Sequence, residues 1–166
     1  MTRQDIIIPH GRDYLSAWHY PPANKDLANE SGAPVVVMAH GYSLTMDCGL
    51  DVYASRFSQA GMHVVVFDYR NFGESSGKNR EVVTAKDQIE DYQIALDFVR
   101  TMPNVDRRRI ALWGSSFSGG LVIAVAALDG DVRAIISQVP NLDNLATLRF
   151  LMKQNSRKRF MWYFAM

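Results

Sequence analysis

The sequence predicts an α/β fold: a mostly parallel sheet with helices on both faces. Three observations carry that expectation. A short, continuously apolar run at residues 35–39 and mainly apolar runs at 63–67, 109–113 and 132–138 are richest in valine and isoleucine, the profile of strands buried in a sheet. Segments with apolar residues at helical spacing separate them. Glycine, proline and small polar residues punctuate the joins.

In chain order, residues 6–8 and 14–20 flank Pro9-His10-Gly11-Arg12-Asp13, whose glycine and polar residues suit the turn of a β-hairpin. Residues 21–34 are polar, contain prolines and a glycine, and read as a surface loop. The run at 35–39 ends at His40-Gly41. Residues 50–60 place Val52, Tyr53, Phe57 and Ala60 near helical spacing, with Gly61 as the stop. After the 63–67 strand, residues 68–77 are rich in turn formers and open a long loop. Residues 84–102 put Ile89, Tyr92, Leu96 and Val99 on one helical face, with Thr84 as N-cap, Asp87 in the acidic first turn and Pro103 as terminator. A strand at 109–113, a helix at 117–128 and a strand at 132–138 complete the alternation.

Composition narrows the function. A chain of 166 residues that is 48% hydrophobic suits about one domain with a packed core. Eighteen basic against seventeen acidic residues leave a net charge of +1, too small for a field that gathers nucleic acid or acidic membrane. The basic runs at 107–109 and 157–159 read as solvated faces. The single Cys48 excludes an intrachain disulfide, and no paired Cys/His spacing suggests zinc. The apolar run near the N-terminus is too short for a signal-peptide core, and the longest one, 121–128, is too short for a membrane span. A cytoplasmic protein is the expectation.

The chemistry concentrates in I-A-L-W-G-S-S-F-S-G-G, residues 110–120. A strand, a sharp turn and a helix place Ser116 at the turn. A serine hydroxyl is a poor nucleophile in water, so it needs a base within reach and N–H groups aimed at the oxyanion it creates. Gly114, Ser118 and Gly119 are small enough to permit the bend, and the following helix presents its positive end there. Ser118 departs from the G-x-S-x-G spacing as a tolerated small residue.

Together with V-V-V-M-A-H-G-Y (35–42) and V-V-F-D-Y-R-N-F-G-E-S (65–75), this segment resembles the α/β-hydrolase family, over about residues 5–140. The D-Y-R-x-F-G-E-S loop is similar to that of bacterial hydrolases and fungal polyketide transferases. The resemblance implies Ser116 as nucleophile, the N–H groups of Tyr42 and Phe117 as oxyanion hole, and His40 with Gly41 as support of the oxyanion loop. It implies ester or thioester substrates, a small-molecule acyl donor as partner, a place in secondary metabolism and no cofactor or metal. It also implies residues 1–140 as the N-terminal part of a hydrolase domain and 141–166 as the start of a cap or connecting helical segment. Two further strands and their helices are then missing, so the strand at 132–138 becomes an apolar edge open to self-association.

The base is the gap. The family order is serine, acid, histidine, and the fifty residues after Ser116 contain three aspartates and no histidine. Asp129 and Asp131 fall at the wrong end of the sheet. Asp143 follows the last strand at the correct end and is the candidate acid. His10, His19 and His63 read as structural, and Asp68 and Arg70 as a pair that holds a loop. Cys48 reads as an ordinary thiol. The apolar tail 160–166 reads as the interior of a helix or cap. Two functions follow: a serine-dependent esterase, thioesterase or acyltransferase, weak or inactive as this chain; or a degenerate, non-catalytic hydrolase that binds a ligand or partner.

Overall fold

A computed structural model describes residues 3–154. Six strands form one sheet, β1 (Gln4–His10), β2 (Asp13–Tyr20), β3 (Ala33–Ala39), β4 (His63–Phe67), β5 (Val105–Ser115) and β6 (Ala134–Gln138), in the order β1-β2-β4-β3-β5-β6. β1, β2 and β4 are joined antiparallel, while β4, β3, β5 and β6 run parallel. The hairpin and the parallel sheet match the sequence expectation.

Alternation of side chains along each buried strand divides the core in two. Val35, Val37, Ala39, Val65 and Phe67 face α2 (Ala85–Thr101) and α3 (Phe117–Asp129), which contribute Tyr92, Leu96, Val99, Leu121 and Val125. Val36, Met38, Val64, Val66 and Trp113 face α1 (Leu50–Gln59) through Leu50 and Ala54. Both faces are covered, so the central strands need no polar side, which is why their sequence is continuously apolar. Tyr92 reaches from α2 to donate to the carbonyl of Trp113 at 2.8 Å, fixing that helix to β5.

Three local expectations are revised. β5 begins at Val105 rather than 109, and its polar start is tied down: Arg109 pairs with Asp106 at 2.7 Å and donates to the carbonyls of Leu27 and Gly32, both at 2.8 Å. Arg109 therefore stitches the 27–32 loop to the sheet instead of extending into solvent. Thr84 occupies the N-cap of α2, but its side chain makes no capping bond; its carbonyl accepts from Gln88 N–H. Arg70 does not pair with Asp68. It binds Asp91 at 2.6 Å and Glu90 at 3.0 Å, because Asp68 turns toward the other side of the loop. β6 lies at the sheet edge, as expected for the strand at 132–138, and Ile135 and Ile136 are each about 40% accessible.

A final helix, α4 (Asn144–Gln154), follows β6. The basic run 157–159 and the apolar tail 160–166 lie outside the described residues. Among the described residues, no helix is long and apolar enough to cross a membrane.

Candidate active site

β5 ends at Ser115 and α3 begins at Phe117, so the whole reversal is made at Ser116, with φ 56° and ψ −115°. That backbone is strained for an L-residue, and it is held by bonds from outside the segment. Ser116 N–H donates to Gln138 C=O at 2.9 Å, and Asn141 N–H donates to Ser116 C=O at 2.9 Å. Residues 138–141 thus form a strap across the turn. Val139 within it also has positive φ, 45°, rare for a β-branched residue.

The small residues have distinct reasons. A Cβ at Gly114 would collide with the carbonyl of Ser118, and one at Gly119 would press on Gln138 O and Pro140 Cα at 3.0 and 3.2 Å. Ser118 is more than a tolerated substitute. Its fully buried hydroxyl accepts from Ser115 N–H at 2.9 Å and lies 3.1 Å from the carbonyl of Ala39. It joins the turn to the end of β3. Nothing in the spacing alone distinguishes that role from simple smallness.

The β3 exit closes on the same place. A Cβ on Gly41 would stand 3.6 Å from Ser116 Cβ, so the 40–42 segment lies directly against the turn. The Tyr42 ring packs edge-on to Phe117, centroids 5.7 Å apart. Among the described residues, neither Tyr42 N–H nor Phe117 N–H donates to a protein acceptor. Phe117 N–H also belongs to the first turn of α3, where helix donors are free and the dipole is positive.

His40 is buried beside them. Its Nδ1–H donates to the carbonyl of Gly41 at 2.9 Å, and its Nε2 faces Asp68 Oδ1 at 3.6 Å without a hydrogen bond. Burial lowers the imidazole to about 4, against a smaller opposite effect of the Gly41 carbonyl. Burial raises Asp68 to about 6, although Met46 N–H, donating at 2.7 Å, works in the opposite direction. Asp68 therefore anchors the 42–49 loop through Met46, and His40 anchors Gly41 just before it.

His40, Gly41, Tyr42 and Ser116 line one cavity of about 290 Å³, with Cys48 and Gln138. Asp143 is not among the residues lining it; its carboxylate caps α4, accepting from Ala146 N–H at 2.8 Å. Asp129 is held by Arg100 at 2.7 Å, and Asp131 N–H donates to it. His19 and His63 stack at the hairpin side of the sheet, Nε2 to Nδ1 at 3.0 Å, and burial lowers His19 to about 4, helped by its neighbour. His10 lines a separate cavity with Asp13 and Arg70. The structure thus gathers Ser116, two free N–H groups, their supporting loop and Cys48, and leaves Asp129, Asp131, Asp143, His10, His19 and His63 elsewhere.

Residues 31–162 match the model of the Hydrolase_4 family, described as serine aminopeptidase, S33. The chain belongs to this family of α/β hydrolases. It is 39% identical over 132 residues to the quorum-quenching protein AidA of Acinetobacter baumannii, covering 80% of this chain and 42% of that protein. It is 42% identical over 120 residues to the thiohydrolase aneE of Aspergillus aculeatus, covering 72% and 37%. Among solved structures, the α/β hydrolase GrgF from Penicillium superposes with a TM-score of 0.77 at 26% identity, over 93% of this chain and 52% of that one. The chain spans about two-fifths of the length of the curated relatives it matches. Thiohydrolases and polyketide transferases are among those relatives.

Proposed function

We propose that Ser116 is the nucleophile of an acyl hydrolase or acyltransferase acting on esters or thioesters. Ser116 Oγ attacks the carbonyl carbon, the bond to the leaving alcohol or thiol breaks, and the hydroxyl proton departs with the leaving group. Water or a second acceptor then takes the acyl group from the serine. The free N–H groups of Tyr42 and Phe117 receive the oxyanion, and removal of one such donor in comparable sites costs roughly 100- to 1,000-fold in kcat. Thiohydrolase and polyketide transferase names among the relatives support a thioester or ester donor.

The observation that carries the reading is the strained turn at Ser116 set against two unpaired N–H groups. His40 is not free to act as the base: one nitrogen is bonded to Gly41 and the other turned to Asp68, and the given sequence has no histidine after Ser116. Asp143 serves as the acid only with a base present. That engagement of His40 also favours a second reading, a non-catalytic relative that keeps the cavity as a ligand site. Intact-mass spectrometry after a fluorophosphonate probe, with Ser116→Ala as control, separates the two. A Ser116-dependent adduct supports the enzyme; a folded chain without one supports the binding protein.

A further inference from the structure

The cavity beside Ser116 has a consistent chemistry. None of its lining residues is Asp, Glu, Lys or Arg, and its one imidazole, His40, is kept neutral by burial. Its apolar lining is Leu44, Leu50, Tyr53 and Trp113. Tyr53 and Trp113 lie with ring centroids 5.1 Å apart and planes tilted by 40°, and Trp113 is buried while Tyr53 is 42% exposed. One ring is fixed by the core and the other stands at the mouth. A second cavity in the molecule, lined by Arg100, Arg107, Arg108, Arg109 and Arg133, has the opposite character and lies with β5's far end, away from Ser116.

Volume and charge both constrain an occupant. Apolar cavities of roughly 150 Å³ hold a benzene molecule. About 290 Å³ therefore suits one ring with a short tail, or a short branched chain, at the small end of ligand sites. A carboxylate or ammonium carried into this wall would lose water and meet no counter-charge. A neutral group would lose only apolar hydration and would gain the two aromatic faces.

We infer that this cavity selects the acyl part of the substrate, taking a compact, uncharged, ring-bearing or branched acyl group and rejecting one with a terminal charge. The inference rests on the reading of Ser116 as the acyl acceptor. Tyr53 and Leu44 are its specificity-determining residues: Tyr53 as the outer aromatic wall, and Leu44, 47% exposed, as the apolar lip.

Equilibrium binding to the Ser116→Ala chain tests selectivity without requiring turnover. Methyl phenylacetate and its ring-carboxylated analogue, 4-(2-methoxy-2-oxoethyl)benzoate, are titrated by ligand-observed NMR. The neutral ester is expected to bind at least about tenfold tighter, and Leu44→Lys in the same background is expected to shrink or reverse that ratio. Tyr53→Ala is expected to weaken the ring-bearing ester by about tenfold while leaving methyl acetate little changed. Equal or tighter binding of the carboxylate, indifference to both substitutions, or no binding of either ester would overturn the inference. Fluorophosphonate labelling of the unsubstituted chain reports the Ser116 reading separately. Labelling without ester preference removes only the acyl selectivity, and ester preference without labelling removes the acyl-acceptor role on which the inference rests.

Discussion

Replacing Asp68 by Asn should stabilise the protein at neutral pH, although Asp68 is buried and bonded. The carboxylate titrates near 6 when folded against an ordinary value of 3.8, because burial penalises its charge more than the Met46 N–H relieves it. A raised folded value means the folded state holds the extra proton between those two limits. Stability contributed by that proton is full below about 3.8 and is lost as pH rises through 6. The shift of about 2 units corresponds to about 3 kcal/mol at 1.36 kcal/mol per unit. Asn removes the desolvated charge and keeps an oxygen at Oδ1, which accepts from Met46 N–H at 2.7 Å and faces His40 Nε2 at 3.6 Å. His40, lowered to about 4, works in the opposite sense: its contribution is lost as pH falls through 6.5 toward 4. The two slopes overlap and nearly cancel in the unsubstituted chain. Urea denaturation of both chains from pH 4 to 7.5 should show Asp68→Asn gaining on the parent by about 2–3 kcal/mol across that range. A difference that stays flat with pH, or that turns against Asn above pH 6, would refute the assignment of a desolvated carboxylate.

Further outcomes follow from single contacts. Ser118→Ala leaves the half-buried Ser115 N–H without its 2.9 Å acceptor, so the denaturation midpoint should fall by the equivalent of about 1 kcal/mol with an unchanged m-value. Ser116→Gly relieves a φ of 56° and should raise stability by about 1 kcal/mol while abolishing any probe adduct, as read by denaturation and mass spectrometry together. Arg109→Ala releases the carbonyls of Leu27 and Gly32, and hydrogen exchange in the 27–32 loop should accelerate while that of β3 and β4 does not.

Much of the fold is legible because burial on both faces removes choice. Residues 35–39 and 64–67 have no solvent-facing side and are apolar throughout, so their strands could be read directly. The start of β5 was hidden for the converse reason: Asp106 to Arg109 look like a solvated run, and only the distant carbonyls of Leu27 and Gly32 reveal why a strand holds arginine there. The turn at Ser116 was readable from small residues between a strand and a helix. The hydroxyl of Ser118 was not, because its partner on β3 is 79 residues away in sequence. Asp68 and Arg70 show the same limit. Proximity in sequence suggested a pair, but their side chains diverge, one to His40 and one to Asp91.

The strap at 138–141 has a mechanical meaning. Ser116 is gripped by N–H and C=O from a segment that continues the outermost strand, not from the buried centre of the sheet. Edge strands open locally at far lower free energy than core strands. The turn at Ser116 is therefore held from the margin of the described sheet, while β3 and β5 beneath it lie inside it. Whatever pairs with β6 damps that breathing and holds the Ser116 torsions in place. Whatever frays β6 releases them before the core feels any disturbance.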